Sequence, residues 1–213
     1  FSGTILMVFG LISILAAATF IIKQNEYKRM LAYSSIENMG IIAFGTGIGG
    51  IGVYGAMICM IHHSLIKSSL FLSSGNMLLG YGNRLIKNTG NMAGTLPKTF
   101  VAFFAGFAGI SGLPPFGLFI GELMIIMAVF HSGHYVAAGI FIFSLCVVFA
   151  GFAAQVMKIS FDNTKNTVRF KEKAGFVLPQ YILLLTSLLL CFFLPESVYQ
   201  TIVDAVTAVG GGF

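Results

Sequence analysis

The amino-acid sequence predicts an all-α fold, a polytopic membrane bundle of about six transmembrane helices with one of them broken at mid-membrane, and three observations carry that expectation. Charged residues make up 9% of the chain against 57% hydrophobic ones, and the mean hydropathy is +0.92. So few charges cannot cover a water-facing surface, whereas that many apolar side chains suit a lipid-facing one. The apolar residues come in runs of about 20 or more, enough to cross a hydrocarbon core roughly 30 Å thick. Two consecutive prolines, Pro114 and Pro115, interrupt one of the longest runs.

Windows of that length place spans at about 2 to 22, 30 to 49, 51 to 80, 98 to 130, 135 to 157 and 177 to 195. The first is free of charge and stops at Lys23; the second starts after Lys28 and Arg29 and stops at the Gly49-Gly50 turn. The third runs from that turn to Tyr81, and a polar stretch as far as Pro97 separates it from the fourth. His131 to His134 divide the fourth from the fifth, and a charged stretch from Lys158 to Gly175 divides the fifth from the sixth. Residues 1–195 therefore read as one membrane domain with no linker to a second. Residues 196–213 read as a C-terminal interfacial tail beside Glu196 and Asp204, because Val198, Ile202, Ala205, Val206 and Val209 recur at helical spacing. Phe1 opens straight into an apolar run without Met or a basic segment, so the chain is expected to be a piece of something longer.

Alternate connectors share a side of the membrane, and the basic residues sort accordingly. Lys23, Lys28, Arg29, Arg84, Lys87, Lys98, Lys158, Lys165, Arg169, Lys171 and Lys173 fall on one face and none on the other. The positive-inside rule makes that face cytoplasmic and puts both chain ends outside. The net charge of +5 is then a topology signal, and no nucleic-acid partner is expected. Cys59, Cys146 and Cys191 each stand alone in apolar segments, so no disulfide framework, iron–sulfur cluster, metal or other cofactor is expected.

One basic residue, Lys67, escapes the sorting because it lies within the third span, roughly 20 Å from either end. Two carboxylates also fall within spans: Glu37, roughly 12 Å beyond Arg29, and Glu122 in the fourth. Each such group costs roughly 2.5–3.5 kcal/mol to insert, so it must pair, line a hydrated cavity, or both. His63 and Ser74, four residues before Lys67 and seven after it, share its helix face. Low-dielectric surroundings disfavour the charged form of amines and acids alike, which makes such groups switchable proton carriers, and a histidine can pass a proton either way. The other reading makes Glu37 and Lys67 a static ion pair and His63 a packing residue. His62 points about 100° away from His63 and carries less weight.

Gly112-Leu-Pro-Pro-Phe-Gly117 breaks the fourth span, and broken helices at that depth persist where protein or water satisfies the freed backbone groups. Glu122 follows in the early turns of the second half-helix, where the partial positive charge of a helix start suits an anion. A plain proline kink with Glu122 as a structural acceptor is the alternative. Gly45-x-Gly47-x-x-Gly50 matches a dinucleotide fingerprint without a preceding strand and reads as a packing and turn segment. His131 and His134 read as solvated loop residues. Lys28 reads as an interfacial anchor that could also feed protons inward. Beyond one acid, no cluster of oxygen ligands for a metal cation is visible.

Three stretches, Lys28-Arg-Met-Leu-Ala-Tyr-Ser-Ser35, Met60-Ile-His-His-Ser-Leu-Ile-Lys-Ser-Ser-Leu-Phe-Leu72 and Gly112-Leu-Pro-Pro-Phe-Gly-Leu-Phe-Ile-Gly-Glu122, carry a family resemblance. In that order they resemble the antiporter-like membrane subunits of respiratory complex I, group 4 membrane-bound hydrogenases and multisubunit cation/proton antiporters. Tyr33-Ser-Ser-Ile-Glu-Asn-Met-Gly40 is most similar to the hydrogenase-4 and formate hydrogenlyase branch. The resemblance covers the second of the family's two inverted repeats plus the last helix, with the first repeat absent. It implies a proton-translocating subunit with Lys67 as the central lysine, His63 as its relay partner and Glu122 as the terminal acid. Some family members have Lys at the position of Gly121; here the acid beside it favours a Lys67-to-Glu122 handoff. The resemblance also implies no redox centre in the chain, neighbouring membrane subunits, a peripheral redox arm and a prokaryotic plasma membrane. A sodium/proton antiporter subunit without redox coupling is the alternative.

Overall fold

The computed structural model describes residues 2–162 and 171–209. Lys165 and Arg169 of the basic set, Phe1, and residues 210–213 of the tail lie outside the described residues. Helix α1 (Ser2–Ile22) carries no charge, and α2 (Tyr27–Ile48) ends at the turn that the glycine pair predicts. Gly49 and Gly50 have φ of 86° and 52°, a region that costs a side-chain-bearing residue strain. Helix α3 (Ile51–Tyr81) is the longest at 31 residues and stops on the left-handed Gly82, whose N–H caps Leu78 O.

A 3₁₀ turn (Ile86–Asn88) and the single-turn α4 (Met92–Thr95) lead to α5 (Pro97–Ile110), which starts with proline at its first position. Helix α6 (Gly117–His131) follows the break; α7 (Tyr135–Phe161), α8 (Ala174–Phe192) and α9 (Glu196–Ala208) complete the described chain. Among the described residues α1, α3, α7 and α8 are long and apolar enough to cross a membrane. Helix α2 has 22 residues but carries Lys28, Arg29, Ser34, Ser35, Glu37 and Asn38. The single broken span expected from about 98 to 130 resolves into α5 and α6, each roughly 20 Å long and too short alone.

Polarity is distributed inside out. Ser34, Glu37, Asn38, His62, His63, Lys67, Ser69, Ser73 and Asn76 are buried, while Phe9, Val136, Phe143 and Leu185 face outward, Val136 at 79% exposure. Lipid rather than water suits that surface. Helix α3 sits in the middle, packed on α2, α5, α6, α8 and α9. Helices α1 and α2 approach at backbone distance: a Cβ on Gly10 would overlap Gly40 O, one on Gly40 would overlap Gly10 O, and Gly3 meets Gly47 in the same way. The Gly45–Gly50 segment thus packs and turns.

The basic connectors gather at one end. Ile86 N–H donates to Asn25 O at 2.8 Å and Tyr27 Oη to Asn83 O at 3.1 Å. Glu172 accepts from Lys98 N–H at 3.0 Å and Thr99 N–H at 2.7 Å, and Gln155 Nε2 donates to Ile22 O at 3.3 Å. Helix α9 docks Ile202 and Val206 against Val53 near the opposite end of α3.

Candidate proton-handling site

The centre of α3 presents Lys67, 5% exposed, towards α2. Its amine donates to Leu31 O at 2.5 Å and to Ser34 Oγ, and lies 5.9 Å from the Phe71 ring centroid. Ser34 Oγ donates in turn to Leu31 O at 3.2 Å, and Ser35 Oγ does so at 3.4 Å. Among the described residues the one ion pair within 4.0 Å joins Arg29 to Glu26 at 3.6 Å, so Lys67 has no carboxylate in contact. The static Glu37–Lys67 contact pair is therefore absent. The reason is local: Leu31 O and the hydroxyl of Ser34, the latter one turn before Glu37 on the same face, take the amine first.

His63, 8% exposed, makes no hydrogen bond to Lys67 among the described residues, and its Nδ1 is buried without a partner. The two share a helix face, but the lysine turns across to α2. Lys28 stands in the first turn of α2 at the basic end, roughly 13 Å along the axis from Glu37.

Glu122 lies in the second turn of α6, with its carboxylate so close to Gly112 that a Cβ there would overlap it. Gly112 has φ 64° in the break formed by Ser111 to Phe116, which contains Pro114 and Pro115. Glu37, Ser111 and Glu122 together line a cavity of about 20 Å³, walled otherwise by Leu145, Val148 and Phe149 of α7. Residues far apart in sequence converge there because α2, α6 and the break meet, and among the described residues no group of three or more His, Cys, Asp or Glu is placed to hold a metal ion.

His62 has a larger structural part than its sequence position suggested. Its Nδ1 is 2.9 Å from Ser187 Oγ of α8, and a Cβ on Gly117 would overlap its Nε2. The ring thus wedges between α8 and the first residue of α6. Ser34, which lies inside a recognised motif, and Ser111, which directly precedes one, carry no signal of their own in the sequence, and nothing in the apolar run around Ser187 marks it. Further polar pins, Ser69 Oγ to Gln180 O at 3.1 Å and Asn76 Nδ2 to Phe176 O at 2.8 Å, tie α3 to α8.

Residues 2–148 match the transmembrane family described as NADH:quinone oxidoreductase/Mrp antiporter. The hydrogenase-4 component F homolog of Methylacidiphilum infernorum is 32% identical over 166 residues, covering 78% of this chain and 35% of that protein. The F(420)H(2) dehydrogenase subunit M of Methanosarcina mazei is 37% identical over 127 residues, covering 59% and 26%. A chain of respiratory complex I from Thermus thermophilus superposes with a TM-score of 0.83 at 21% identity, over 99% of this chain and 45% of that one. The matched regions thus amount to 35% and 26% of the length of these two curated relatives.

Proposed function

The chain belongs to the NADH:quinone oxidoreductase/Mrp antiporter transmembrane family, and on that premise we propose that it is a proton-translocating membrane subunit of a redox-driven complex. Membrane-bound hydrogenases and NADH-dehydrogenase-like enzymes are the class in view. The observation that carries the reading is the environment of Lys67, a buried amine held by two neutral oxygens with no carboxylate in contact. An ammonium with no carboxylate in contact is disfavoured in such a place, whereas a neutral amine keeps its hydrogen bonds at little cost. A change of charge on a nearby acid therefore biases whether the amine holds its proton.

In this reading Lys67 takes up and releases a proton, Glu122 receives it at the helix break, and Glu37 and His63 flank the transfer. Pro114, Pro115 and Gly117 keep the two half-helices apart, and Lys28 feeds from the basic face, which is cytoplasmic in a prokaryotic plasma membrane. Other membrane subunits and, through them, a peripheral redox arm are the partners, and the redox chemistry is theirs. In the intact complex, Lys67→Ala should abolish proton translocation while electron transfer by the peripheral arm persists. Unaltered translocation would remove Lys67 from the pathway.

A second reading, a subunit of a multisubunit sodium/proton antiporter without redox coupling, is favoured by one observation, the oxygen-lined cavity of Glu37, Ser111 and Glu122. It requires sodium-dependent proton exchange in the absence of any electron donor.

A further inference from the structure

We propose that the seam between α1 and α7 binds one anionic phospholipid of the leaflet on the basic side, with an acyl chain along the seam and the phosphodiester held by Lys87 and Lys158. Two cavities lie on that seam. The first, about 160 Å³, is walled by Leu15, Ala18, Thr19 and Ile22 of α1 and by Phe143, Ser144 and Val147 of α7. Its two hydroxyls are turned to their own helices, Thr19 Oγ1 donating to Ala16 O at 2.8 Å and Ser144 Oγ to Ile140 O at 2.7 Å, so the space is apolar. The second, about 290 Å³, lies past the end of α1 and is lined by Gln24, Asn25, Lys87, Gln155, Lys158 and Asp162, with Ile86 at its base. The two meet at one hydrogen bond: Gln155 Nε2 of the polar cavity donates at 3.3 Å to the backbone oxygen of Ile22, a wall of the apolar one.

Helix α7 joins the two cavities by a shallow path. Phe143, Val147, Gly151, Ala154 and Lys158 follow one another at helical spacing on one face, none of them buried, and the two positions between the cavities carry small residues. Depth fits a lipid as well. At about 1.5 Å per residue, Lys158 stands roughly 16 Å along α7 from Val147 and roughly 22 Å from Phe143. One leaflet supplies roughly 15 Å of hydrocarbon and about 5–7 Å of headgroup region. A phosphate at Lys158 therefore brings the end of its acyl chain between Val147 and Phe143, into the apolar cavity.

Charge selects the occupant. Lys87 comes from the 3₁₀ turn after α3 and Lys158 from the last turn of α7; both are exposed, and neither makes an ion pair within 4.0 Å among the described residues. Asp162 is the one acid lining the polar cavity among the described residues, so the two amines leave one positive charge over. A phosphodiester anion complements that charge, and ammonium groups bind phosphate oxygens well as point charges. Asn25 adds a side-chain amide for the remaining headgroup oxygens. An apolar helix of a neighbouring subunit would fill the first cavity but would leave both amines without a counter-charge. Bound there, the lipid ties the connector after α3 to the end of α7. None of these residues belongs to the proposed proton pathway, so the inference stands apart from it.

The test uses the purified intact complex in detergent and a phosphatidylglycerol with a photoreactive diazirine halfway along one acyl chain, the labelled residues being read by peptide mass spectrometry. Label is expected within residues 15–22 or 143–147. Unlabelled phosphatidylglycerol should displace it at a concentration about tenfold or more below that needed of phosphatidylethanolamine, whose amine cancels the phosphate charge. Lys87→Ala combined with Lys158→Ala should weaken the labelling about tenfold or more. Thr19→Phe, which fills the apolar cavity and keeps both lysines, should weaken it to a similar extent. No label in either segment, as when a helix of another subunit covers the seam, overturns the site. Label displaced equally by the two lipids, or unchanged in the lysine variant, overturns the assignment to an anionic lipid. The competition is read on the unsubstituted complex, so the answer does not depend on a variant assembling.

Discussion

The Lys67 amine of α3 donates to Ser34 Oγ of α2, three residues before Glu37 on the same helix face. A short swing of the lysine along α2, about one helical turn or 5 Å, separates its present partners from the acid. That makes the Leu31–Ser34 pair a resting place for the amine and Glu37 an alternative partner within reach.

Ser34→Ala removes one of the two acceptors and leaves the amine with Leu31 O alone. The expected cost is about 1–2 kcal/mol of stability, read as a lower melting temperature of the solubilised complex. Proton translocation per electron should also fall. Unaltered melting together with unaltered coupling would mean that Ser34 does not hold the amine.

Gly112→Ala places a Cβ on the Glu122 carboxylate at a backbone φ of 64°. The left-handed conformation alone costs roughly 1–2 kcal/mol, and the carboxylate must move in addition. Proton translocation should drop at least as far as in Glu122→Gln, as measured in proteoliposomes. Near-normal transport would show that the position of Glu122 is not critical.

Gly40→Leu introduces a side chain where the backbones of α1 and α2 touch. Overpacking of this kind costs typically 1–3 kcal/mol, and the two helices should separate. Reduced yield of assembled complex, read by native gel, is the expected outcome; normal yield would show that the seam opens easily.

His62→Ala and Ser187→Ala remove opposite ends of one buried hydrogen bond between α3 and α8. A double-mutant cycle on melting should show a coupling of about 0.5–1.5 kcal/mol. Full additivity would mean that the bond contributes nothing to holding α8.

Much of this architecture is legible in the sequence because membrane helices announce themselves by length. The runs at Ser2–Ile22 and Tyr135–Phe161, the Gly49-Gly50 turn and the break at Pro114-Pro115 all follow from hydropathy and backbone chemistry acting locally. The resident of the third span, Lys67, stands out for the same reason, as an ionisable group where lipid-spanning sequence tolerates few. What the sequence conceals is which groups meet across helices. Glu37 reads as the natural partner of Lys67, since opposite charges attract, but Ser34 is closer to the amine. Glu37 and Glu122 read as separate residues because like charges carry no pairing signal, and only the crossing of α2 with α6 brings them to one cavity. The helix angle of His62 points it away from the Lys67 face, and that angle says nothing of α8, whose Ser187 meets the ring.

The most direct test of the central claim is the proton-to-electron ratio of the intact complex carrying Lys67→Arg. Arginine keeps a positive charge in the same place but does not give up its proton in a protein. If Lys67 works by gaining and losing charge, electron transfer should continue while the translocated protons fall towards zero. A ratio equal to that of the unsubstituted complex would contradict the account, because a fixed charge would then be sufficient.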